Sequence, residues 1–580
     1  MSILASLVRA YDRLPDAPPF GFSSEKIGFL ISLKDDGTVA HDPIDLREGE
    51  GKKKTARLLP VPASFKRPGV TPRAFFLWDN TAYVLGVSAN EAKGVEARRA
   101  AFFDLHMELL RDSDDVGLVA LRNFLSNWHP DDFARLGWPE EMKDQNVIFA
   151  LESERRQRFL HQRPAAKSIW AKKAADDEKS LAVCLVTGEK APVARLHQAI
   201  KGVWGGQVAG GSIVSFNLDA FTSYGHEQGD NAPVSEAAAF AYTTVLNRFL
   251  EKGSSHRIQI GDASTVFWAD AENIEVAEQA ESLFSFFVDP QADDAEATKK
   301  IGIQLARIRQ GDHLSDIEPK LEQGVQFYVL GLAPNAARLS IRFFYEGSFG
   351  ELTRHYQSFI SEMRIEPPPR DDYPPLWRYL RETAVLGKSE NVPPNLAGEW
   401  MRAILSGAHY PMTLLSSVLM RIRADGDVNA LRVGILKALL IRNFKREAPV
   451  ALDPDNKNKG YLLGRLFAAY EQAQTAALGT KVNATIKDKF YGSASAQPRK
   501  VFALLESGSA NHLSKIGKQS PGRRVNLEKL IGGIMDSMEP GSDPFPAALN
   551  AEEQALFGLG YYHQRNEFFK KTTETSEAAQ

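Results

Sequence analysis

The chain contains 580 residues, of which 43% are hydrophobic and 25% are charged, and its formal net charge is −3. This length predicts two to four domains, and no stretch is apolar enough to predict a membrane-spanning helix. A single cysteine, Cys184, excludes internal disulfides and cysteine-clustered zinc sites. Residues 1–22 are too charged for a signal peptide and predict an amphipathic helix, so we expect a cytoplasmic protein.

Positive charge is concentrated in two segments, although the total is slightly negative. Residues 51–73 hold seven Lys and Arg and no Asp or Glu, and residues 457–529 hold thirteen Lys and Arg against four Asp and Glu. Segregation of this kind indicates a polyanionic partner. The alternative interpretation is that the basic runs are solvated loop tips.

The first 370 residues predict a mixed α/β domain. One helix is expected over 96–111, and another begins after Ser235, which can cap it, because the apolar residues of 242–250 follow helical spacing. Short apolar or alternating runs predict strands at 27–33, 74–79, 82–87, 181–186, 212–217, 325–334 and 337–347.

A proline-rich segment, IEPPPRDDYPP (365–375), ends this domain, because its prolines cannot continue a helix or a central strand. Beyond it the strand signal nearly disappears, and a turn at 453–460 divides the helical remainder. The predicted fold class is therefore α+β, with a large mixed α/β body over 1–370 and an α-helical bundle over 376–580. Helical spacing marks 413–424, 430–445, 461–478, 526–538 and 551–569, the last with a capping box formed by Asn550 and Glu553.

The polar loop SFNLDAFTSYGHEQGDN (215–231) has the residue types of a catalytic site. His226, Glu227 and Asp230 could serve a hydrolase or a metal-dependent nuclease. However, the loop has no G-x-S-x-G elbow and no H-E-x-x-H spacing, and its candidates crowd one loop. Its Asn and Asp side chains can instead satisfy the loop's own backbone. We therefore favour a structural clamp and predict no catalytic residue, no metal site and no cofactor.

The segment KRPGVTPRAFFLWDN (66–80) has a composition suited to duplex DNA. It combines three cations, Lys66, Arg67 and Arg73, with rigid prolines and a terminal amide, Asn80. Fixed loops of this kind can hold phosphates with their cations and read base edges with an amide. A proline-kinked loop before a strand is the alternative.

The glycine-rich segment GVWGGQVAGG (202–211) matches no nucleotide-binding motif. Its glycines allow close backbone approach to a ligand, and it presents one long polar side chain, Gln207, although a plain flexible connection is the alternative. In the C-terminal half, cations mostly in or beside loops such as FYGSASAQPRK could track the phosphates of a single strand. The cations assigned to this phosphate-binding role are Lys52, Lys53, Lys54, Lys481, Lys487, Lys489, Arg499, Lys500, Arg523 and Arg524.

Long segments of the chain resemble the large subunit of the type I-C CRISPR surveillance complex, Cascade. The likeness runs essentially end to end, and it is carried by CLVTGEKAPVARLHQAIKGVWGGQ (184–207), the polar loop with its helix (215–250), FYVLGLAPNAARLSIRFFYEGSFGEL (327–352), GYLLGRLFAAYEQAQ (460–474) and LGYYHQR (559–565). It implies a non-enzymatic subunit of an RNA-guided DNA-binding assembly, in which guide pairing supplies most of the sequence specificity. In that family the N-terminal region recognises the PAM (the short duplex motif that flanks the target), promotes strand opening and R-loop formation, and helps recruit a helicase-nuclease.

The resemblance places the PAM contacts in the N-terminal half. There the segment 66–80, called the basic loop below, offers Lys66, Arg67, Arg73 and Asn80. Gln207 is our candidate for a wedge between the parting strands. The resemblance also implies that a C-terminal segment, about 450–580, is made separately as a small helical subunit. The implied partners are duplex target DNA and its displaced strand, and the guide-RNA-bearing backbone and end-capping subunits. Two alternatives remain open, a hydrolase or nuclease using the polar loop and a purely architectural subunit without DNA contact.

Overall fold

The computed structural model describes residues 2–14, 17–49, 54–65, 67, 71–89, 94–175, 180–288, 297–479, 483–539, 541 and 543–570. The chain forms two compact units: the N-terminal unit, Met1–Gln198 with Val214–Val245, and the C-terminal unit, Ala199–Ile213 with Leu246–Gln580. Small sheets occur in the N-terminal half and helices fill the C-terminal half, so the fold class is α+β as predicted. The assignment of separate roles to 1–370 and 376–580 stays a prediction.

The helices and strands of the described residues follow one another along the chain with mostly short connections. The helices are α1 (Ile3–Arg13), α2 (Thr81–Val84), α3 (Val95–Leu109), α4 (Val116–Asn127), α5 (Asp132–Arg135), α6 (Pro164–Ala175), α7 (Glu236–Phe249), α8 (Ile274–Val288), α9 (Ala297–Gln310), α10 (Leu314–Ile317), α11 (Pro319–Glu322), α12 (Phe349–Met363), α13 (Leu376–Arg381), α14 (Pro394–Ser406), α15 (Met412–Asp425), α16 (Ala430–Arg442), α17 (Lys459–Leu478), α18 (Ile486–Ala496), α19 (Pro498–Gln519), α20 (Pro521–Asp536) and α21 (Ala551–Glu567). The strands are β1 (Phe22–Ile27), β2 (Phe29–Leu33), β3 (Ile44–Asp45), β4 (Arg57–Pro62), β5 (Trp78–Asn80), β6 (Asn146–Leu151), β7 (Leu181–Val183), β8 (Lys190–Pro192), β9 (Arg257–Ile260), β10 (Ala263–Asp270), β11 (Gln326–Asn335) and β12 (Arg338–Ser348).

The N-terminal unit is built on a four-stranded sheet in the order β3-β2-β6-β5. Strands β2 and β6 are parallel, apolar and almost wholly buried, because α4 packs against both of them. Strands β1 and β4 form a separate antiparallel pair. The basic loop leaves β4 and ends at β5, so the central sheet and this pair fix both of its ends.

The C-terminal unit contains an antiparallel sheet in the order β9-β10-β11-β12. Helix α8 packs on β10 and α14 packs on β12, and one apolar core continues from these strands into the C-terminal helices. Segment Ala199–Ile213 belongs to this unit, where Ser212 bridges Arg338 at the start of β12. The glycine-rich loop therefore lies beside the turn between β11 and β12.

Helices α17 and α21 form the closest helix pair of the C-terminal half. A Cβ atom added at Gly464 would lie 2.1 Å from the Phe557 carbonyl oxygen, and one at Gly560 would lie 2.1 Å from the Tyr461 carbonyl oxygen. The two backbones can approach this closely only because both positions are glycine. Buried polar contacts join the same pair, including the bond that the Tyr561 hydroxyl donates to Glu471 at 2.6 Å.

Most of the predicted elements are confirmed. Strands β11 and β12 match the runs at 325–334 and 337–347, and helices α1, α3, α7, α15, α16, α17, α20 and α21 lie where spacing predicts them. The Asn550–Glu553 capping box is present, with the Glu553 N–H donating to Asn550 Oδ1 at 2.8 Å. Ser235 Oγ caps α7 by accepting from the Ala238 N–H at 3.2 Å.

Several predicted strands are wrong or shortened. The run 82–87 was predicted as a strand, but its first three residues lie in α2. Asn80 Oδ1 accepts the Ala82 N–H at 3.1 Å and thereby caps the start of this helix. The run 74–79 becomes strand only at β5, since Leu77 has a left-handed backbone (φ 63°) and donates its N–H to His106 Nε2 at 2.9 Å. The run 181–186 ends after three residues, and 212–217 forms no strand beyond a single bridge. The strands that had no prediction are β3, β4, β6, β8, β9, β10 and all of β1 except Ile27.

The cations of the C-terminal half are also placed differently from the prediction. The segment FYGSASAQPRK lies in α18 and the start of α19, with one non-helical residue between them. The described cations of this set therefore lie on helices, several of them next to a helix end, rather than in loops. Among the described helices, none is both long and apolar enough to cross a lipid bilayer.

Candidate nucleic-acid interface

Arg67 lies inside an aromatic cage within the basic loop. Its guanidinium is 3.8 Å from the centre of the Phe75 ring and 4.0 Å from the centre of the Tyr83 ring. It also pairs with Asp79, whose side chain is 1% exposed. Burial raises the pKa of the Asp79 carboxyl, and the charge of Arg67 opposes that rise. The guanidinium is thus engaged in holding the loop against β5.

Arg73 and Asn80 lie on the same loop but have different environments. Arg73 is exposed, and its guanidinium stacks 4.7 Å from the centre of the Phe65 ring, which packs edge-on against Phe75 at 5.0 Å. Asn80 is half-buried and uses its Oδ1 atom to cap α2, while no described residue accepts from its Nδ2 group. Residues 71–80 therefore carry an exposed guanidinium at Arg73 and, at Asn80, an amide donor with no acceptor among the described residues.

Two cations that precede β4, Arg47 and Lys54, are partly neutralised by an acidic neighbour. Lys54 Nζ donates to Asp45 at 2.8 Å, and Arg47 donates to the same carboxylate at 2.8 and 3.0 Å. The hydrogen bonds that Arg47 and Lys54 donate hold the pKa of the Asp45 carboxyl well below its usual range. The contribution from Arg47 is the larger of the two. The predicted residues Lys52, Lys53 and Lys66 lie outside the described residues.

The glycine-rich loop is held in a definite conformation. Ile200 and Gly211 exchange backbone hydrogen bonds of 2.8 and 2.9 Å, which close the loop. Gly202 has a left-handed backbone (φ 84°), and a Cβ there would lie 2.6 Å from the Leu250 carbonyl oxygen. Gln207 is exposed on the closed loop, and its carbonyl accepts the Gly210 N–H at 2.9 Å. The loop therefore presents Gln207 from a turn that backbone hydrogen bonds close.

Trp204 on the same loop is a residue that the sequence interpretation missed. Its side chain is 67% exposed, while the preceding residue, Val203, is buried. The backbone N–H of Trp204 donates to Ser264 Oγ at 2.8 Å. This bond holds this part of the loop against β10. A tryptophan followed by two glycines in GVWGG was the available signal, since a loop this rich in glycine offers few side chains to cover the ring.

Two of the C-terminal cations are engaged in ion pairs. Arg499 pairs with Asp543, and Arg524 Nε donates to Glu528 at 2.8 Å. Hydrogen bonds from Arg499 lower the pKa of the Asp543 carboxyl. These pairs leave less positive charge available to a polyanion at both positions.

Other cations of the same helices have no acidic partner within the described part of the chain. Lys489 on α18, Lys500 on α19 and Arg523 on α20 are exposed and form no ion pair there. Lys487 is half-buried, and Lys481 lies outside the described residues. Two further exposed lysines on α19, Lys515 and Lys518, were missed, although both lie within the basic segment 457–529.

Comparison with protein families decides what kind of protein carries these surfaces. The family model for CRISPR-associated protein (Cas_Csd1) matches residues 7–569, which is nearly the whole chain. The chain is a member of the Csd1 family. A comparison with curated proteins found no match.

Membership of the Csd1 family confirms the resemblance in the sequence and indicates a CRISPR-associated Cascade protein. The match includes the basic loop, the glycine-rich loop and α17 to α21. The finer assignments to PAM contact, strand opening and phosphate binding stay predictions.

The polar loop of this Csd1 protein is held mainly by its own polar groups. Ser223 and His226 exchange backbone hydrogen bonds of 3.3 and 2.8 Å around a two-residue turn. Asn231 Nδ2 donates to the carbonyls of His226 and Gln228 at 3.2 and 3.1 Å. The loop therefore satisfies its backbone as the sequence predicts. Tyr224 occupies the turn with a left-handed backbone (φ 51°) and a fully exposed side chain.

The rival catalytic residues of this loop are not arranged as a catalytic group. His226, Glu227 and Asp230 are exposed, and no hydrogen bond among the described contacts joins any two of their side chains. A general base needs a neighbouring group that orients it. Throughout the described residues, no group of three or more His, Cys, Asp or Glu side chains is placed to hold a metal ion. No observation favours the hydrolase alternative.

Proposed function

We propose that this Csd1 protein is the large subunit of a type I-C Cascade, which recognises the PAM in duplex DNA and promotes R-loop formation. The observation that carries the proposal is Arg73, an exposed guanidinium that stacks on Phe65 and lies between Arg67 and β5, where Arg67 pairs with the buried Asp79 carboxylate. Guanidinium groups pair with guanine edges or phosphates, and stacking on a ring lowers the entropic cost of ordering the side chain for that contact. Family membership supports the same role.

In this proposal the residues of the basic loop act in two ways. Arg73 and Asn80 contact the duplex, with Lys66 as a further cation of the same loop. Arg67 positions them, because its guanidinium is engaged with Asp79, Phe75 and Tyr83. Phosphate contacts by Lys52, Lys53 and Lys54 would hold the duplex without reading its sequence.

Gln207 is the proposed wedge that enters between the parting strands. Unstacking a base step costs a few kcal/mol, which the wedge must recover through contacts with the separated bases. A closed loop with a left-handed Gly202 supports this role because it does not need to be ordered on binding.

The cations of α18 to α20 are proposed to hold the displaced strand by its phosphates, without sequence preference. The proposal also includes a separate small subunit from about residue 450 onward. Helices α17 and α21, which pack against each other with the Tyr561–Glu471 bond between them, both lie within that segment and support this part of the proposal. Expression of the native gene, with and without silent changes near candidate internal starts such as Met401, Met412 or Met420, tests this. Loss of a co-purifying short product together with target affinity is expected, whereas an intact assembly would contradict it.

The proposed partners are the guide-RNA-bearing backbone, the end-capping subunits and a helicase-nuclease that supplies the cleavage. The subunit itself is proposed to be non-catalytic, so the isolated protein should not cut DNA when Mg²⁺, Mn²⁺ or Zn²⁺ is added. Metal-dependent cleavage that is lost in His226→Ala would overturn this part and favour the nuclease alternative.

The deciding experiment is equilibrium binding of the assembled complex to duplex targets with a randomised flanking motif. The wild-type complex should select a motif, and Arg73→Glu should abolish or change the selection. Arg499→Glu, in a helix far along the sequence, is the matched charge reversal and should leave the selected motif unchanged. Unaltered affinity and selection in Arg73→Glu would favour a purely architectural subunit.

A further inference from the structure

Trp204 is an exposed indole on a fixed backbone. It is the most exposed of the eight tryptophans, with 67% of its surface accessible, whereas most of the others are buried. No other aromatic ring of the described residues stacks on it. Leaving so large an apolar ring in water is unfavourable, so a partner that covers it would gain stability.

The loop around Trp204 is built to keep the ring in place. The backbone N–H of Trp204 donates to Ser264 Oγ at 2.8 Å. The side chain of the preceding residue, Val203, is only 8% exposed and packs toward the core. The Ile200–Gly211 bonds close the loop behind them. A flat ring on a preorganised backbone binds a second flat ring with little loss of conformational entropy.

The chemistry beside the ring fits a nucleobase. Segment Ala199–Ile213 contains one charged residue, Lys201, and no Asp or Glu. Lys201 and Gln207 are both exposed on this loop and offer a cation for phosphate and an amide for base edges. Aromatic stacking tolerates any base because every base has a π-face.

We propose that Trp204 stacks on a nucleobase that is released when the duplex opens, next to the place where Gln207 enters. This inference rests on the proposed function, and it adds a residue that traps the opened state after the wedge has separated the strands. Trp204 would stabilise the unstacked base by replacing its lost neighbour with an indole.

The test uses the assembled complex with guide RNA and a target that carries 2-aminopurine at the first positions beside the PAM. In the wild type, stacking on the indole should quench the fluorescence of one of these bases. Trp204→Ala should restore that fluorescence and slow R-loop formation by about 5- to 150-fold, the range for alanine at base-stacking aromatics. Trp204→Phe should retain most of the rate because it keeps a ring.

Trp377, which is 45% exposed, supplies the matched control, since Trp377→Ala removes a second exposed indole of the same unit. Its rate and its 2-aminopurine signal should equal those of the wild type. Binding to a duplex with the correct PAM but no complementarity to the guide should be unchanged in Trp204→Ala, because that duplex is not opened.

Two outcomes overturn the inference while the proposed function stands. One is an unchanged R-loop rate and fluorescence in Trp204→Ala. The other is a Trp204→Ala complex that fails to assemble, which would identify the ring as a contact to a protein subunit. A wild-type complex that neither selects a PAM nor opens DNA would instead overturn the proposed function itself.

Discussion

Arg67 of the basic loop before β5 and the exposed lysines of α18 to α20 use their positive charge in opposite ways. In the loop, Arg67 is engaged by a buried carboxylate and two rings, so its charge stabilises the fold. On the helices, Lys489 and Lys500 are exposed, and they pair with no acidic group of the described residues. A count of basic residues treats the two regions as equal, yet only contacts show which charge remains available to a polyanion.

The largest expected effect comes from breaking the pair in the loop. Arg67→Ala leaves the Asp79 carboxylate buried without its partner, which should lower the free energy of unfolding of the N-terminal unit by roughly 3 kcal/mol. Denaturant titration followed by hydrogen exchange in β6 measures this.

Arg73→Ala is the matched control for Arg67→Ala, since Arg73 is exposed and should change stability by no more than about 0.5 kcal/mol. If Arg67→Ala left stability intact but altered the selected PAM, Arg67 would contact DNA directly. Its charge would then be available to DNA in the same way as the charges of α18 to α20.

The helical region should respond most strongly to changes at its close backbone contact. A methyl group at Gly464 would meet the Phe557 carbonyl oxygen at 2.1 Å, so Gly464→Ala should force α17 and α21 apart at a cost of roughly 1–3 kcal/mol. Gly532→Ala in α20 is the control, because nothing lies within 4 Å of its added methyl and the change should stabilise the helix by up to about 1 kcal/mol. Equal unfolding midpoints for the two variants would show that α17 and α21 are not tightly packed.

Sequence patterns predicted the regular elements better than the irregular ones, for physical reasons. The alternation in 337–347 reports directly on a half-buried strand, and β12 follows it. The strand prediction for residues 82–87 failed because the hydrogen bond that the Ala82 N–H donates to Asn80 Oδ1 starts a helix despite their strand-like composition. Strand β10 was missed because it is buried on both faces and so shows no alternation, while its buried Ser264 and Thr265 interrupt the apolar run that marked β11.

Candidate site residues were predictable by type and position but not by environment. The sequence shows that 51–73 contains no acidic residue. Arg67 nevertheless pairs with Asp79, twelve positions later, because the fold brings the two side chains together. Trp204 was overlooked because its exposure depends on the Ile200–Gly211 closure and the bond to Ser264. Local composition records none of these contacts.

Arg73 should change which DNA is recognised more than whether the protein folds. Arg73→Ala is expected to cost about 1–3 kcal/mol of binding if the guanidinium reads a base, and selection from a randomised motif should then relax at one position. If Arg73 instead contacts phosphate, affinity should fall equally for all motifs and the salt dependence should become shallower. Binding curves that match the wild type at every salt concentration would remove Arg73 from the interface.

Gln207→Ala tests strand opening separately from PAM binding. R-loop formation should slow more than initial duplex binding, because the wedge contributes only after the strands begin to separate. Stopped-flow measurement on a fluorescent target gives both steps. Equal loss in both steps, or loss in neither, would count against a wedge at this position.

The smallest expected effect concerns the unpaired cations of the helices, and it is measured best as a salt dependence. Each phosphate contact on a single strand contributes about 0.7 to the slope of log affinity against log salt concentration. Replacing Lys500 and Arg523 together by Gln should therefore reduce that slope by about 1.4 for the displaced strand if both contact phosphate. Replacing Arg499 and Arg524 by Gln is the matched control, because their charges are already offset by Asp543 and Glu528 and should alter the slope less. The two sets remove positive charge from the same helices, so a difference between them isolates pairing as the cause. A larger slope change for the paired set would mean that the ion pairs open on binding, and exposure alone would then not identify the cations that hold DNA.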